Sequence, residues 1–449
     1  MRDAKGKKVN AKPNILWIIT DQQSHSMMSC AGNKYLSTPA MDSIAAAGVR
    51  FTRAYCANPV CQPSRFSLMT GVYPSAAGIG GDGKTTAGAA VPEYVSNNLL
   101  GEMLKQNGYD TLYGGKQGIP MMDAEYLGFR YFCADERGAL ANACADYIRS
   151  ASGPFAMVAS FINPHDICLM AINDFAADAD NETDKHIAKN MPVETASVNR
   201  AASLRPGDKC PRTGTPQEFL PPLPFNHMPA EDEPEAIDFL INERGFRRLA
   251  RERYTEEQWR LHRHAYARLT EEVDGQIQTV IDALKSSGKF ENTVIILTSD
   301  HGDMDSAHKL EHKSVFYEEC IRVPMLVKGL SQKVCGAADS RLVSNGLDCI
   351  CTVLDYAGIK RPPHLTGISL KPAAEGEPDC ASRGVIVAES ELGIMAADGR
   401  HKYTRYFSGA NAEQFYDLEK NPGEMYNQIN DEKYKDVIKK LRGFCGQAL

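Results

Sequence analysis

Cys61-Gln62-Pro63-Ser64-Arg65, running on to Thr70-Gly71, puts a thiol and a guanidinium one helical turn apart. A free Cys is most often a small buried apolar residue. Its neighbours argue for more here. Pro63 lacks an N–H and has a helix-ready φ, so it suits a first helical turn. Gly71 suits a helix stop. Cys61 then sits at a helix N-terminus, where unpaired N–H groups and the helix dipole attract an anion. Arg65 adds a planar cationic fork. The chemistry suggested is an oxyanion held beside a reactive side chain.

Other polar residues recur at one kind of place. Asn14 to Thr20 is an apolar, β-branched run that ends at Asp21-Gln22. Tyr109 to Tyr113 leads through two glycines to Lys116. The apolar run from Pro154 to Phe161 leads to Pro164-His165, and Thr293 to Ser299 ends at Asp300-His301. Each run reads as a buried parallel strand. Ligands of an open α/β sheet bind at the carboxyl edge of the strands, so these side chains should converge there. Asp21 or Asp300 alone could equally cap a helix. Together with Gln22 and His301 they make a set of oxygen and imidazole donors. Oxygen donors suit Ca²⁺ or Mg²⁺, and imidazole leans towards Mn²⁺ or Zn²⁺. A lone Lys is usually a solvated surface charge. His165 is either a loop residue bonded to backbone or a proton donor titrating near neutrality.

Helices should separate these strands. Thr38-Pro39 reads as the cap of a helix through Ala47 that Gly48 stops, and Val49 to Tyr55 reads as a strand. Thr255 to Gln258 is a capping box. The helix behind it carries Tyr266, Leu269, Val273, Ile277, Val280, Ile281 and Leu284 on one face. Residues 171–253 are polar, Pro-rich and weakly periodic, and read as an insertion lying over the surface. Within them, Arg244, Arg247, Arg248, Arg251 and Arg253 read as a solvated helical face, with a grip on an anionic sugar as the other use. After about residue 375 come short strands: Val385 to Glu389, Gly393 to Ala397, Lys402 to Phe407 and Gln414 to Asp417. A last helix runs from about Glu432 to Leu441. The expected fold class is α/β, a mainly parallel sheet sandwiched by helices over residues 12–375, with a small antiparallel subdomain over 376–449.

The chain has 449 residues and a net charge of −7, which gives no general reason to bind nucleic acid. No apolar run reaches transmembrane length. The basic N-terminus has no apolar h-region, so no signal peptide is visible. Either the protein stays inside the cell or a leader was removed, and the compartment stays open. Thirteen scattered cysteines without metal-ligand spacing read mostly as reduced core thiols. Cys349 and Cys351 read as packed rather than paired.

The Cys61 stretch resembles the signature C-x-P-S-R-x-x-x-x-T-G of the formylglycine-dependent sulfatases, within the alkaline-phosphatase-like superfamily. Every fixed position matches. With this many cysteines a chance C-x-P-S-R arises in roughly one chain in several hundred. Tyr317-Glu318-Glu319 with Arg322-Val323-Pro324, and Gln414 through Glu424, resemble further family segments. The resemblance implies a formylglycine made from Cys61 by a maturase, and one divalent cation, Ca²⁺ by family default. Asp21, Gln22, Asp300, His301 and the modified Cys61 would be its ligands. Many sulfatases carry Asp where this chain has Gln22. The resemblance also implies that Arg65, Lys116 and Lys313 hold the sulfate oxygens and that His165 protonates the leaving alcohol. The family's His two residues after the first Lys is Gly118 here. His308 matches a His often found before the second Lys, as a substitute substrate contact. The implied substrate is a sulfated small molecule or glycan. The alternatives are a phosphonate monoester hydrolase or phosphodiesterase on the same scaffold, and a non-catalytic binder of sulfated glycans.

Overall fold

A computed structural model describes residues 12–178, 182–204, 219–378 and 380–447. Eight strands form the main sheet: β1 (Asn14–Asp21), β2 (Val49–Tyr55), β5 (Asp110–Gly115), β6 (Arg130–Cys133), β7 (Phe155–Pro164), β8 (Thr293–Ser299), β9 (Met325–Lys328) and β10 (Ala337–Ser344). Their order is β10-β2-β9-β8-β1-β7-β5-β6. Only β9 runs antiparallel to its neighbours. A hairpin of β3 (Ile79–Gly81) and β4 (Lys84–Thr85) stands apart from it. The mainly parallel sheet is the architecture expected from the sequence.

β1 shows why the sheet must be covered on both faces. All eight of its residues are buried. Side chains alternate across a strand. Ile15, Trp17 and Ile19 therefore join the core beneath the helices Cys61–Thr70 and Asn345–Ala357. Leu16 and Ile18 join the core on the other face, with Val273, Ile277, Ile281 and Leu284 of the long helix Glu256–Ser286. Each such side chain stabilises the fold by about 1.5–3 kcal/mol. The capping box at Thr255 and Gln258 forms as expected.

Two local expectations differ. The helix α1 (Pro39–Ala46) has no side-chain cap from Thr38. Asp274 of the long helix instead accepts the N–H groups of Ala40 and Met41, at 3.0 and 2.9 Å. Burial pushes that carboxyl up to about 7, against those two hydrogen bonds. Gly48 follows α1, and its role is close approach rather than a left-handed turn. A Cβ there would lie 2.2 Å from the Val327 carbonyl oxygen of β9.

The stretch 171–253 is largely helical where described, apart from residues 221–234, rather than a loose surface cover. It carries Glu182–Asn190, Pro192–Ser203, Glu235–Glu243 and Gly245–Arg253. Ile172, Phe175, Val198, Phe246 and Leu249 form a separate core with Trp259, Tyr266 and Leu269 of the long helix. The other three short helices contribute two or three apolar residues each, too few to make a visible period, whereas Glu235–Glu243 sends Ala236, Ile237, Leu240 and Ile241 into the main core. Residues 205–218 of that stretch lie outside the described residues.

A second sheet is antiparallel, β11 (Ile386–Ser390), β12 (Gly393–Ala397), β13 (His401–Tyr406) and β14 (Glu413–Asp417) in sequential order. Ile394, Tyr403 and Phe415 pack on Ile438 and Leu441 of the last helix, Lys435–Gln447. Cys349 and Cys351 lie buried on the helix Asn345–Ala357 as free thiols.

Candidate active site

β8, β1, β7 and β5 are parallel neighbours, so their carboxyl ends share one edge. Register does the rest. Thr20 pairs with Ser299, Asp21 with Pro164 and Gly115 with Ser160. The residues at or just past these ends are Asp300, Asp21, His165 and Lys116, as expected from the strand ends. Cys61 reaches them as the first residue of α2 (Cys61–Thr70). Gly71 ends α2 with φ 72°, and its N–H bonds the Ser67 carbonyl at 2.7 Å. The first turn of α2 is partly satisfied from within, because Asp82 of the β3–β4 hairpin accepts the Gln62 N–H at 2.9 Å.

Ligand atoms of Asp21, Cys61, Asp300 and His301 lie within 4.8 Å of one another, all buried. Cys61 Sγ is 3.1 Å from His301 Nε2 and 3.6 Å from Asp21 Oδ1. His301 Nδ1 lies 2.8 Å from the Gly302 carbonyl, which can only accept. The proton therefore sits on Nδ1, and the Nε2 lone pair faces the cluster. Asp300 Oδ1 accepts the N–H groups of Gln22 and His301, at 3.0 and 2.8 Å. Burial, with Asp21 alongside, pushes the Asp300 carboxyl up to about 7 in spite of Arg65. Burial acts on Asp21 in the same sense, but the cations Lys116, Arg65 and Lys313 outweigh it and hold that carboxyl well below the usual range. Two buried carboxylates and an imidazole lone pair aimed at one place fit a divalent cation.

Gln22 has φ 65°, which turns its side chain into the site. Its Oε1 accepts from Lys313 Nζ at 3.2 Å and from the Cys168 thiol at 2.9 Å. Its Nε2 donates to Asp303 Oδ2 at 2.7 Å. Asp303 thus fixes which end of the amide faces the lysine.

The cations divide into two kinds. Lys116 Nζ lies 2.7 Å from Asp21 Oδ2, and Lys313 Nζ donates to Cys61 Sγ at 2.6 Å. Burial opposes both ammoniums, but Asp21 and Cys61 outweigh it and raise their pKa values. Arg65 differs from the expected open fork. Its Nε bonds Asp300 at 2.9 Å, one Nη bonds Asp21 at 2.9 Å, and the other bonds Ser160 Oγ at 2.7 Å and the Lys116 carbonyl at 3.1 Å. It is 1% exposed. Four of its five N–H donors bond protein, and two of these tie Asp21 and Asp300 together. The structure does not bring His308 to the site either. Its ring stacks on Tyr317 with centroids 3.9 Å apart, and its backbone N–H bonds the Asn226 carbonyl. Local backbone at positive φ carries it away. Gly118 does lie at the site, where a Cβ would meet Arg65 Cδ at 3.6 Å and Lys116 Cε at 3.8 Å.

A cavity of about 320 Å³ opens over this edge, lined in part by His165, Cys168, His312 and Lys313. The His165 Nδ1 is buried with no hydrogen-bond partner among the described residues. Burial and Lys116 hold its pKa well below the usual histidine value, so the free ring is neutral. The helices of 171–253 supply much of the outer wall, through Leu240, Glu243, Arg244, Phe246 and Arg247. Ser160, Cys168 and Asp303 are site residues that pattern reasoning missed. Asp303 had a visible signal, as a second acid in the Asp300-His301-Gly302-Asp303 turn. Ser160 and Cys168 had none.

A sulfatase family model matches residues 13–359. The chain belongs to the sulfatase family. A second model, the C-terminal part of N-sulphoglucosamine sulphohydrolase, matches residues 306–445 of this sulfatase. A Delta 4,5-hexuronate-2-O-sulfatase of Bacteroides thetaiotaomicron is 29% identical, over 96% of this chain and 87% of its own. A solved 2-O GAG sulfatase superposes with TM-score 0.76 at 26% identity, covering 97% of this chain and 91% of its own. The phosphonate monoester hydrolase of Agrobacterium radiobacter superposes with TM-score 0.70 at 20% identity, covering 97% of this chain and 96% of its own, and so shares the fold. The sulfatase is thus a sulfuric ester hydrolase of alkaline-phosphatase-like fold, and its family implies a bound metal and a formylglycine in general terms.

Proposed function

We propose that this sulfatase hydrolyses a sulfate ester on a sugar or glycosaminoglycan fragment, through a formylglycine made from Cys61. The observation that carries the reading is the packing of Asp21, Asp300 and His301 around Cys61, with Lys116 and Lys313 against the same atoms. The sugar is supported by relatives whose names specify a hexuronate and a GAG. A Cys-type maturase would have to act on the chain first.

Asp21, Asp300, His301 and the amide oxygen of Gln22 would hold one divalent cation. Calcium suits the oxygen-rich set best, with Mg²⁺, Mn²⁺ and Zn²⁺ as the other candidates. When bound, the cation supplies Lewis acidity, and the aldehyde hydrate at position 61 supplies the attacking oxygen and a second hydroxyl through which sulfate leaves. Arg65 keeps the two acids in register with each other. Lys116 and Lys313 hold the sulfate oxygens and offset the charge that develops on them. His165 donates a proton to the departing alcohol oxygen. The free ring is neutral, and the negative charge of an incoming sulfate is what raises its proton affinity.

Reaction class is tested by comparing aryl sulfate, sulfated monosaccharides and sulfated disaccharides with an aryl phosphodiester and a phenylphosphonate ester. A sugar sulfate should show the highest kcat/KM. A phosphodiester or phosphonate ahead by several orders of magnitude would replace sulfate as the substrate class.

The role of His165 has its own signature. A proton donor matters most when the leaving alcohol is basic. His165→Ala should slow a sugar sulfate by about 10²- to 10⁴-fold and an activated aryl sulfate by less than about tenfold. Equal losses on the two substrates would assign His165 to sulfate binding or structure.

A further inference from the structure

Of the cations lining the cavity, Lys84 and Arg244 have carboxylate partners, whereas Lys313 and Arg247 have none among the described residues. Lys84 lies 3.3 Å from Glu243 and 2.8 Å from Glu391. Arg244 pairs with Asp184. Asp82 takes the Gln62 N–H, and Lys313 donates to Cys61 and Gln22. Arg247 remains. Its Nη1 donates to the Leu240 carbonyl at 3.1 Å, and its guanidinium carbon lies 5.6 Å from the Phe246 ring centroid. Among the described residues no carboxylate stands within ion-pairing distance of it. The Arg244 guanidinium lies 5.2 Å from the same ring, so two cations flank one aromatic side chain. Burial and Arg244 together pull Arg247 down to about 10.

A half-buried guanidinium without an acid, beside another cation, destabilises the free protein. Such a group is explained by a ligand that completes the pair. That ligand is not the reacting sulfate. Lys116 and Lys313 contact Asp21 and Cys61, whereas Arg247 bonds the Leu240 carbonyl and flanks the Phe246 ring with Arg244. Arg247 therefore belongs to the wall of the cavity that Lys313 also lines. A planar fork favours a planar or tetrahedral oxyanion that it can meet with two donors.

We propose that Arg247 binds a second oxyanion of the substrate, a carboxylate or further sulfate on the same sulfated sugar, while Lys116 and Lys313 hold the scissile sulfate. The proposal rests on the sulfatase reading and narrows it to doubly anionic sugars. Phe246, beneath the guanidinium, would keep the pair in a water-poor place, where the charge-assisted hydrogen bonds are strongest.

The test is calorimetric binding to Cys61→Ala protein, which holds substrate without turnover. The probes are glucuronic acid 2-O-sulfate, glucose 2-O-sulfate and glucose 2,6-di-O-sulfate. One of the two dianions should bind about 10- to 100-fold more tightly than the monoanion. The preferred dianion assigns the second group as carboxylate or sulfate. Adding Arg247→Met should erase that ratio, and Arg247→Lys should keep part of it. The unliganded Arg247→Met protein should melt no lower than its parent, since a cation with no acid partner has been removed. The inference is overturned if the parent prefers neither dianion, if the ratio survives Arg247→Met, or if that variant melts several degrees lower. Failure of the sulfatase reading looks different: protein with converted Cys61 would release sulfate from none of the probes while the binding ratio still collapsed.

Discussion

Cys61→Ala protein should fold, bind a sulfated sugar and release sulfate at least about 10⁴-fold more slowly than converted wild type. The side chain lost is small and sits in the first turn of α2, so the fold should lose only about 1 kcal/mol. The thiol itself is a poor candidate for the reacting group. Burial and Asp21 push its pKa up, against Lys116 and Lys313, so an unconverted Cys61 is protonated at neutral pH. Sulfuryl transfer to sulfur would also leave a thiosulfate-like adduct with no easy exit, whereas an aldehyde hydrate keeps a second hydroxyl to expel sulfate. Protein made with a Cys-type maturase should show an aldehyde at position 61 in peptide mass spectra and by hydrazide labelling. Activity should rise in proportion to the converted fraction. If unconverted protein turns over as fast as converted protein, Cys61 is not the precursor of the nucleophile.

Asp300→Asn should strip the site of its cation and remove nearly all activity. Asp300 is a hub. It accepts from the backbone of Gln22 and His301 and from Arg65, and it stands beside Asp21. An amide of the same shape keeps the packing, removes the charge and turns one acceptor into a donor facing donors. Wild type should carry one divalent ion per chain by elemental analysis, and the variant less than about a tenth of that, given the tens- to hundredfold losses that even supporting residues cause. A near-UV and far-UV circular dichroism spectrum like that of wild type should accompany the loss. Full metal content in folded Asp300→Asn protein would remove Asp300 from the ligand set.

Much of the site was legible because its chemistry lies at strand ends. Asp21, Lys116, His165 and Asp300 each follow an apolar run whose length and β-branching mark a buried strand. Parallel register then brings the four ends to one edge. Cys61 was legible because Pro63 and Gly71 bracket its helix within ten residues of chain. In each case the deciding signal is local, a matter of neighbouring residue types and spacing.

What the sequence did not determine is which way the long side chains point. Arg65 is conspicuous in its motif, but only the fold shows its donors bonding Asp21, Asp300 and Ser160, residues up to 235 positions away. His308 sits five residues before Lys313, but positive backbone angles carry it onto Tyr317. Thr38 looks like a cap, but Asp274 takes that role from across the core. The helices of 171–253 build a core and a cavity wall, and which neighbours their apolar faces meet was visible only in the fold. Strand identity and helix starts depend on short-range sterics and patterning, which residue order records. Hydrogen-bond partners and charge balance depend on which distant groups meet, and that was decided only by the tertiary structure.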